Sequence, residues 1–291
     1  MKRLTIALLI SLCSVSTAPL LAQTTIGGGS CTSASVSGVY ALSISGRQVN
    51  SSGAFTNVFQ ANGTATFDGL SKVNVSLTSD TNQAVATQLT WSGTYSIQAN
   101  CVGVLNITTG GSASFNIELY NVIGGNGPAF VLTGNDATYG YTGNGNNQPT
   151  GGCSSTPLSG VYTFNATGFV LNGSSVSGAE NGAGLLQFDG QGHITVNVTV
   201  YASGTPSVAL TLTGSYSLSS NCLGTANLTD SSSNAYVMNF SISDATRLYS
   251  SNVFVSLARA SRFIIIGSAH AIYNQPALSA GLFSARVGGS I

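Results

Sequence analysis

Charge is almost missing from this chain. Only 5% of its 291 residues are Asp, Glu, Lys or Arg, eight of each sign. A nucleic-acid-binding surface needs a basic stripe, and scattered cations do not make one. Histidine is scarcer still, with His193 and His270 the only two. No His-Glu-x-x-His, Cys-x-x-Cys, Gly-x-Ser-x-Gly or P-loop pattern occurs, so the familiar zinc, thiol-redox, nucleophile-elbow and nucleotide chemistries have no anchor here. Abundant serine alone does not make a Ser-His-Asp triad. No amphipathic helical pattern of useful length is present. Beyond residue 22 no apolar run is long enough to cross a bilayer as a helix.

What is present begins with the N-terminus, MKRLTIALLISLCSVSTAPLLAQ. Lys2 and Arg3, a short apolar stretch from Leu4 to Leu12, and Leu20-Leu21-Ala22 have the three-part form of a secretory signal peptide over residues 1–22. Leu12 before Cys13 breaks the lipobox pattern, so no lipid anchor is expected. Without Lys2 and Arg3, six cations remain against eight acids, a net charge of −2. The expected location is secreted, periplasmic or cell-surface. The 43% hydrophobic content in regular alternation argues against disorder.

The chain also repeats itself. LTWSGTYSIQANCVGVLNIT, Leu89 to Thr108, returns as LTLTGSYSLSSNCLGTANLT, Leu210 to Thr229, with ten of twenty positions identical. Ser37-Gly38-Val39-Tyr40 returns at Ser159, Phe67-Asp68-Gly69 at Phe188, and Asn147-Gln148-Pro149 at Asn274. A unit of about 120 residues has the size of an independent domain, not of a solenoid repeat. We read residues 31–143 as domain 1, 144–152 as a linker rich in Gly and Asn, 153–276 as domain 2 and 277–291 as a tail without counterpart.

Within each unit the hydrophobic period is two. Leu89, Trp91, Gly93, Tyr95 and Ile97 share one face, as do Leu210, Leu212, Gly214, Tyr216 and Leu218. Asp68-Gly69 and Asp189-Gly190 mark hairpin turns. About eight one-faced strands per unit, joined by short loops, predict an all-β chain of two tandem antiparallel up-and-down barrels, with β-sandwiches as the alternative. Strand parity puts Cys31 and Cys101 at one end of the first unit and Cys153 and Cys222 at the same end of the second. Of three connectivities the repeat favours Cys31–Cys101 and Cys153–Cys222; free thiols are the alternative.

The order Gly38-Val39-Tyr40, Phe67-Asp68-Gly69, Gly93-Thr94-Tyr95-Ser96 and Asn100-Cys101-Val102-Gly103, with its second-copy equivalents, resembles a group of uncharacterised secreted bacterial proteins with lipocalin-like or allene-oxide-cyclase-like barrels. The resemblance implies a barrel and carries over no catalytic residue.

Trp91, Tyr95 and Tyr216 face inward by alternation, and either line a ligand cavity or fill a solid core. Gly93 and Gly214 on that face leave room beside the rings. Asp68 and Asp189 recur in register, as turn aspartates or as ligands of a hard cation. Arg247, Arg259 and Arg262 hold an anion or solvate a strand. These residues suggest a noncatalytic protein that binds a small apolar molecule inside a barrel, with no cofactor or metal. A structural or adhesive role towards a surface glycan or protein, a cyclase-like enzyme and an outer-membrane barrel are the alternatives.

Overall fold

The computed structural model describes residues 30–120, 128–148, 153, 158–202, 206–243 and 252–272. The expected signal peptide, Cys13, Arg247, most of the second half of the linker and the C-terminal tail lie outside the described residues.

Among the described residues sixteen antiparallel strands form two closed barrels, not open sandwiches. The first comprises β1 (Gly38–Val49), β2 (Phe55–Phe67), β3 (Lys72–Thr81), β4 (Thr87–Ile97), β5 (Val102–Thr109), β6 (Ala113–Tyr120), β7 (Ala129–Asn135) and β8 (Gly140–Asn147), with β8 closing on β1. The second comprises β9 (Ser159–Asn172), β10 (Ser175–Asp189), β11 (His193–Ala202), β12 (Val208–Leu218), β13 (Leu223–Thr229), β14 (Ala235–Ser243), β15 (Asn252–Arg259) and β16 (Phe263–Ala271), with β16 closing on β9. Each strand pairs with the next in sequence, so the topology is the simple meander that alternation and short loops imply.

Alternation decides what enters each core. In β4, Trp91, Tyr95 and Ile97 are buried while Thr90 and Ser96 stay exposed. β8 runs on through Asn147, into the stretch read as linker. Its glycines are strand residues there for a steric reason: a Cβ on Gly145 would lie 2.1 Å from the ring of Phe130. Both expected disulfides are formed, Cys31–Cys101 and Cys153–Cys222, each with its Cα atoms 5.0 Å apart. Cys101 and Cys222 occupy left-handed turn positions, at φ 67° and 64°.

The barrels meet side by side. β2 lies against β10, β14, β15 and β16, and β1 against β14 and β15. Val58, Phe169, Leu171, Ala258 and Ile264 form an apolar cluster between the two walls. Phe55 and Phe169 meet edge to face at 5.3 Å. The outward residues of β2, Val58, Gln60, Asn62 and Thr64, are buried by this docking. Their counterparts on β10, Ala179, Asn181, Ala183 and Leu185, are exposed.

Candidate functional site

The three aromatic candidates point inward, at two different levels. Tyr95 and Tyr216 sit at the disulfide end of their barrels. The Tyr95 hydroxyl donates to the Ser33 carbonyl at 3.0 Å, and Tyr216 to the Leu158 carbonyl at 2.7 Å. Each ring meets a phenylalanine edge to face: Phe67 at 4.9 Å for Tyr95, Phe188 at 5.1 Å for Tyr216. The phenols thereby tie the chain segment leading into the first strand of each barrel to the barrel wall. Trp91 lies nearer the other end, stacked on Phe59 at 6.2 Å.

The space beside Trp91 is small. The cavity lined by Trp91, Leu42, Val75, Phe115 and Phe130 measures about 10 Å³. That holds about one water, whereas a small-molecule pocket takes roughly 300–1,000 Å³. Nor do Gly93 and Gly214 open room beside the rings. A Cβ on either would lie 1.9 Å from a neighbouring backbone carbonyl, of Asn106 or Asn227. These glycines are where adjacent strands approach closely, and the sequence does not distinguish that from empty space.

The polar candidates resolve into local structure. Asp68 Oδ1 accepts from the amides of Leu70, Ser71 and Lys72, and these bonds hold its carboxyl below the usual range. Asp189 accepts from the His193 and Gln191 amides and faces His193 Nδ1 at 2.7 Å, which brings it down to about 2. At the opposite ends Asp136 accepts from the Tyr141 hydroxyl at 2.6 Å and Asp230 from Tyr236 at 2.9 Å. Arg259 donates to Asn234 Oδ1 at 2.6 Å and lies over the Tyr236 ring at 5.6 Å, so its charge is engaged. His270 is exposed on β16. An open cleft of about 450 Å³ runs past Asn106, Ser114, Asn135 and Asp136. Several of its polar groups already serve one another, Ser114 donating to Asn106 at 2.9 Å for example.

Two buried carboxyls escaped the sequence reading. Glu180 shares the inward parity of Leu186 and Phe188 on β10 and is 6% exposed. Its Oε2 has no hydrogen-bond partner, and burial pushes the group up to about 7. General acid–base chemistry needs a second group within reach. Burial is the one influence resolved on Glu180, and no titratable partner acts on it among the described residues. Asp80 lies on the outer face of β3, sealed at 0% exposure between the barrels. Burial raises its pKa, opposed by the Ala86 amide at 2.8 Å and by the side chains of Ser256 and Asn239.

Around Asp80 the seam is polar. Gln60, Asn62, Asn239, Ser241 and Ser256 are all at most 2% exposed. Gln60 Nε2 donates to the Thr167 carbonyl at 3.4 Å, Asn62 Nδ2 to the Asn239 carbonyl at 3.3 Å, and Gln148 Nε2 to the Ile242 carbonyl at 2.9 Å. One signal for the seam was in the sequence: Val253–Ala258 and Phe263–Ile266 are nearly continuous apolar runs, the mark of strands covered on both faces. No protein-family model and no curated protein matches this chain.

Proposed function

We propose that the chain is a noncatalytic extracytoplasmic protein whose paired barrels act as one body through their outer surface, in a structural or adhesive role. The observation that carries this reading is the filled first barrel, with about 10 Å³ left beside Trp91. A binding barrel of the kind suggested by the likeness to lipocalin-like and allene-oxide-cyclase-like proteins needs far more room. The meander topology supports the likeness at the level of fold. Export through the signal peptide at residues 1–22 is part of the proposal, and the two disulfides favour an oxidising compartment. An outer-membrane barrel turns an apolar band to lipid. The outward positions of the first barrel mix exposed Asn74, Thr90, Ser96 and Asn106 with Val104 and Val131, so they form no continuous apolar band, and the large rings Trp91, Phe115 and Phe130 are inside.

Native mass spectrometry of the mature chain, taken from the exported fraction without detergent, tests the reading. The expected mass is that of the bare, doubly bridged polypeptide. A co-purifying apolar molecule that is released on denaturation would overturn it in favour of an interior ligand.

A further inference from the structure

Asp80 stands on the outer face of β3, where a barrel strand meets water, yet its exposure is 0%. The repeat supplies a comparison. Gln60 and Asp80 are cross-strand partners on β2 and β3, as Asn181 and Tyr201 are on β10 and β11. Tyr201 therefore occupies the position of Asp80 in the second barrel, and it is 54% exposed. Docking of the second barrel is what takes Asp80 out of water. That docking brings Ser256 of β15 and Asn239 of β14 to the carboxyl as hydrogen-bond donors.

The surroundings offer Asp80 no counter-charge. The strands packed around it are β2 and β4 beside β3, and β14 and β15 across the seam. β2 has no titratable side chain. Tyr95 on β4 and Tyr236 on β14 are buried in the barrel interiors. Arg259, at the end of β15, is engaged by Asn234 and by the Tyr236 ring. Lys72 is exposed at the opposite end of β3. Among the described residues no Lys, Arg or His acts on Asp80. Sealing an ionised carboxyl from water without a cation is costly, and such a group sheds its charge instead. A protonated Asp80 has an acceptor on the neighbouring strand. Gln60 spends its amide nitrogen on the Thr167 carbonyl at 3.4 Å and leaves Oε1 unpartnered.

We propose that the seam is a proton-operated clasp: the barrels dock tightly while Asp80 is protonated and loosen when it ionises. Burial is the largest influence on the group and raises its pKa. The Ala86 amide, Ser256 and Asn239 act the other way without cancelling it. In separated barrels the carboxyl returns to water and to its ordinary value of 3.8. Between the two values docking takes up a proton. Its contribution is complete below the ordinary value and is lost as pH rises through the raised one.

The test reads opening of the seam itself, on the mature chain with both disulfides intact. Ala258 is 1% exposed in the apolar cluster between the walls, so a thiol at Ala258→Cys reacts only when the seam opens. Should that protein not fold, Ser241→Cys, at 0% exposure on β14, takes its place. Labelling rates are compared with and without Asp80→Asn at each pH, so the thiol's own titration cancels. From acid near the ordinary carboxyl value to mildly alkaline solution, the rate with Asp80 relative to the rate with Asp80→Asn should rise about threefold or more. A flat ratio overturns the proposal. A ratio that rises towards acid also overturns it, in favour of a carboxylate held ionised by Ser256 and Asn239. Labelling no faster than global unfolding, measured by denaturant titration of the same proteins, overturns it too, because the seam then never opens by itself.

Discussion

A carboxyl whose charge burial disfavours reports on pH, and Glu180 is such a group. Its pKa is about 7 in the fold against 4.5 as the ordinary value. Below pH 4.5 both folded and unfolded chains hold the proton. Between the two values the folded chain holds more protons than the unfolded one, so stability falls as pH rises. Discounted for solvent screening, the loss is on the order of 2 kcal/mol. Denaturant titrations across that window should show this slope in the wild type and a flatter one in Glu180→Gln, which should be the more stable protein at neutral pH. An unchanged slope would place Glu180 in water. Tyr95→Phe is a second residue-scale test: it removes the bond to the Ser33 carbonyl and should cost about 1 kcal/mol in the same titration. The direction of Tyr95 was legible in the sequence because alternation fixes which face a side chain takes. What it meets on that face was not. Gly93 reads as space beside Trp91, yet the Asn106 carbonyl fills the place.

Strands and turns were the most legible elements because their signals are local. Asp68-Gly69 and Asp189-Gly190 make turns through side-chain-to-amide bonds that need nothing from the rest of the fold. The cysteine pairing followed from strand parity and the repeat, both properties of the order of elements. β8 was less legible, since Gly143 and Gly145 suggest a loop until Phe130 and its neighbours claim the space beside them. The disulfides give the test at this scale. Each links residues 69 or 70 apart. Opening a loop of that length costs about 4 kcal/mol in the chain-entropy account. Cys31→Ser with Cys101→Ser should lower the denaturation midpoint accordingly, while the second bridge remains detectable by mass. A change well under 1 kcal/mol would mean that the N-terminal segment holds its place through Tyr95 and packing alone.

At the scale of the whole molecule, duplication has not produced symmetry. Equivalent faces of the two barrels have different fates: β2 is covered, whereas the matching face of β10 is open. The cause lies partly in β15 and β16, whose outward Phe254, Ala258, Ile264 and Ile266 make the second barrel apolar on a wall that faces the first. Nothing local reveals that Gln60 and Asn62 oppose that wall, because on a single strand they look like solvent-facing polar residues. Docking of this kind couples the folding of the barrels, so each should lose stability when the other opens. Scanning calorimetry of the wild type should therefore give one cooperative transition, with calorimetric and van't Hoff enthalpies in agreement. Ile264→Asp places an unpaired charge at a position with 0% exposure, and should cost about 3 kcal/mol or more. The same scan should then split into two transitions, the second barrel melting first because the damaged wall is its own. Val58→Asp, on the opposing wall, should also split the scan but lower the first barrel instead. A wild type that already melts in two steps would show that the seam is a contact between independent domains. The two barrels would then have to be treated as separate functional units.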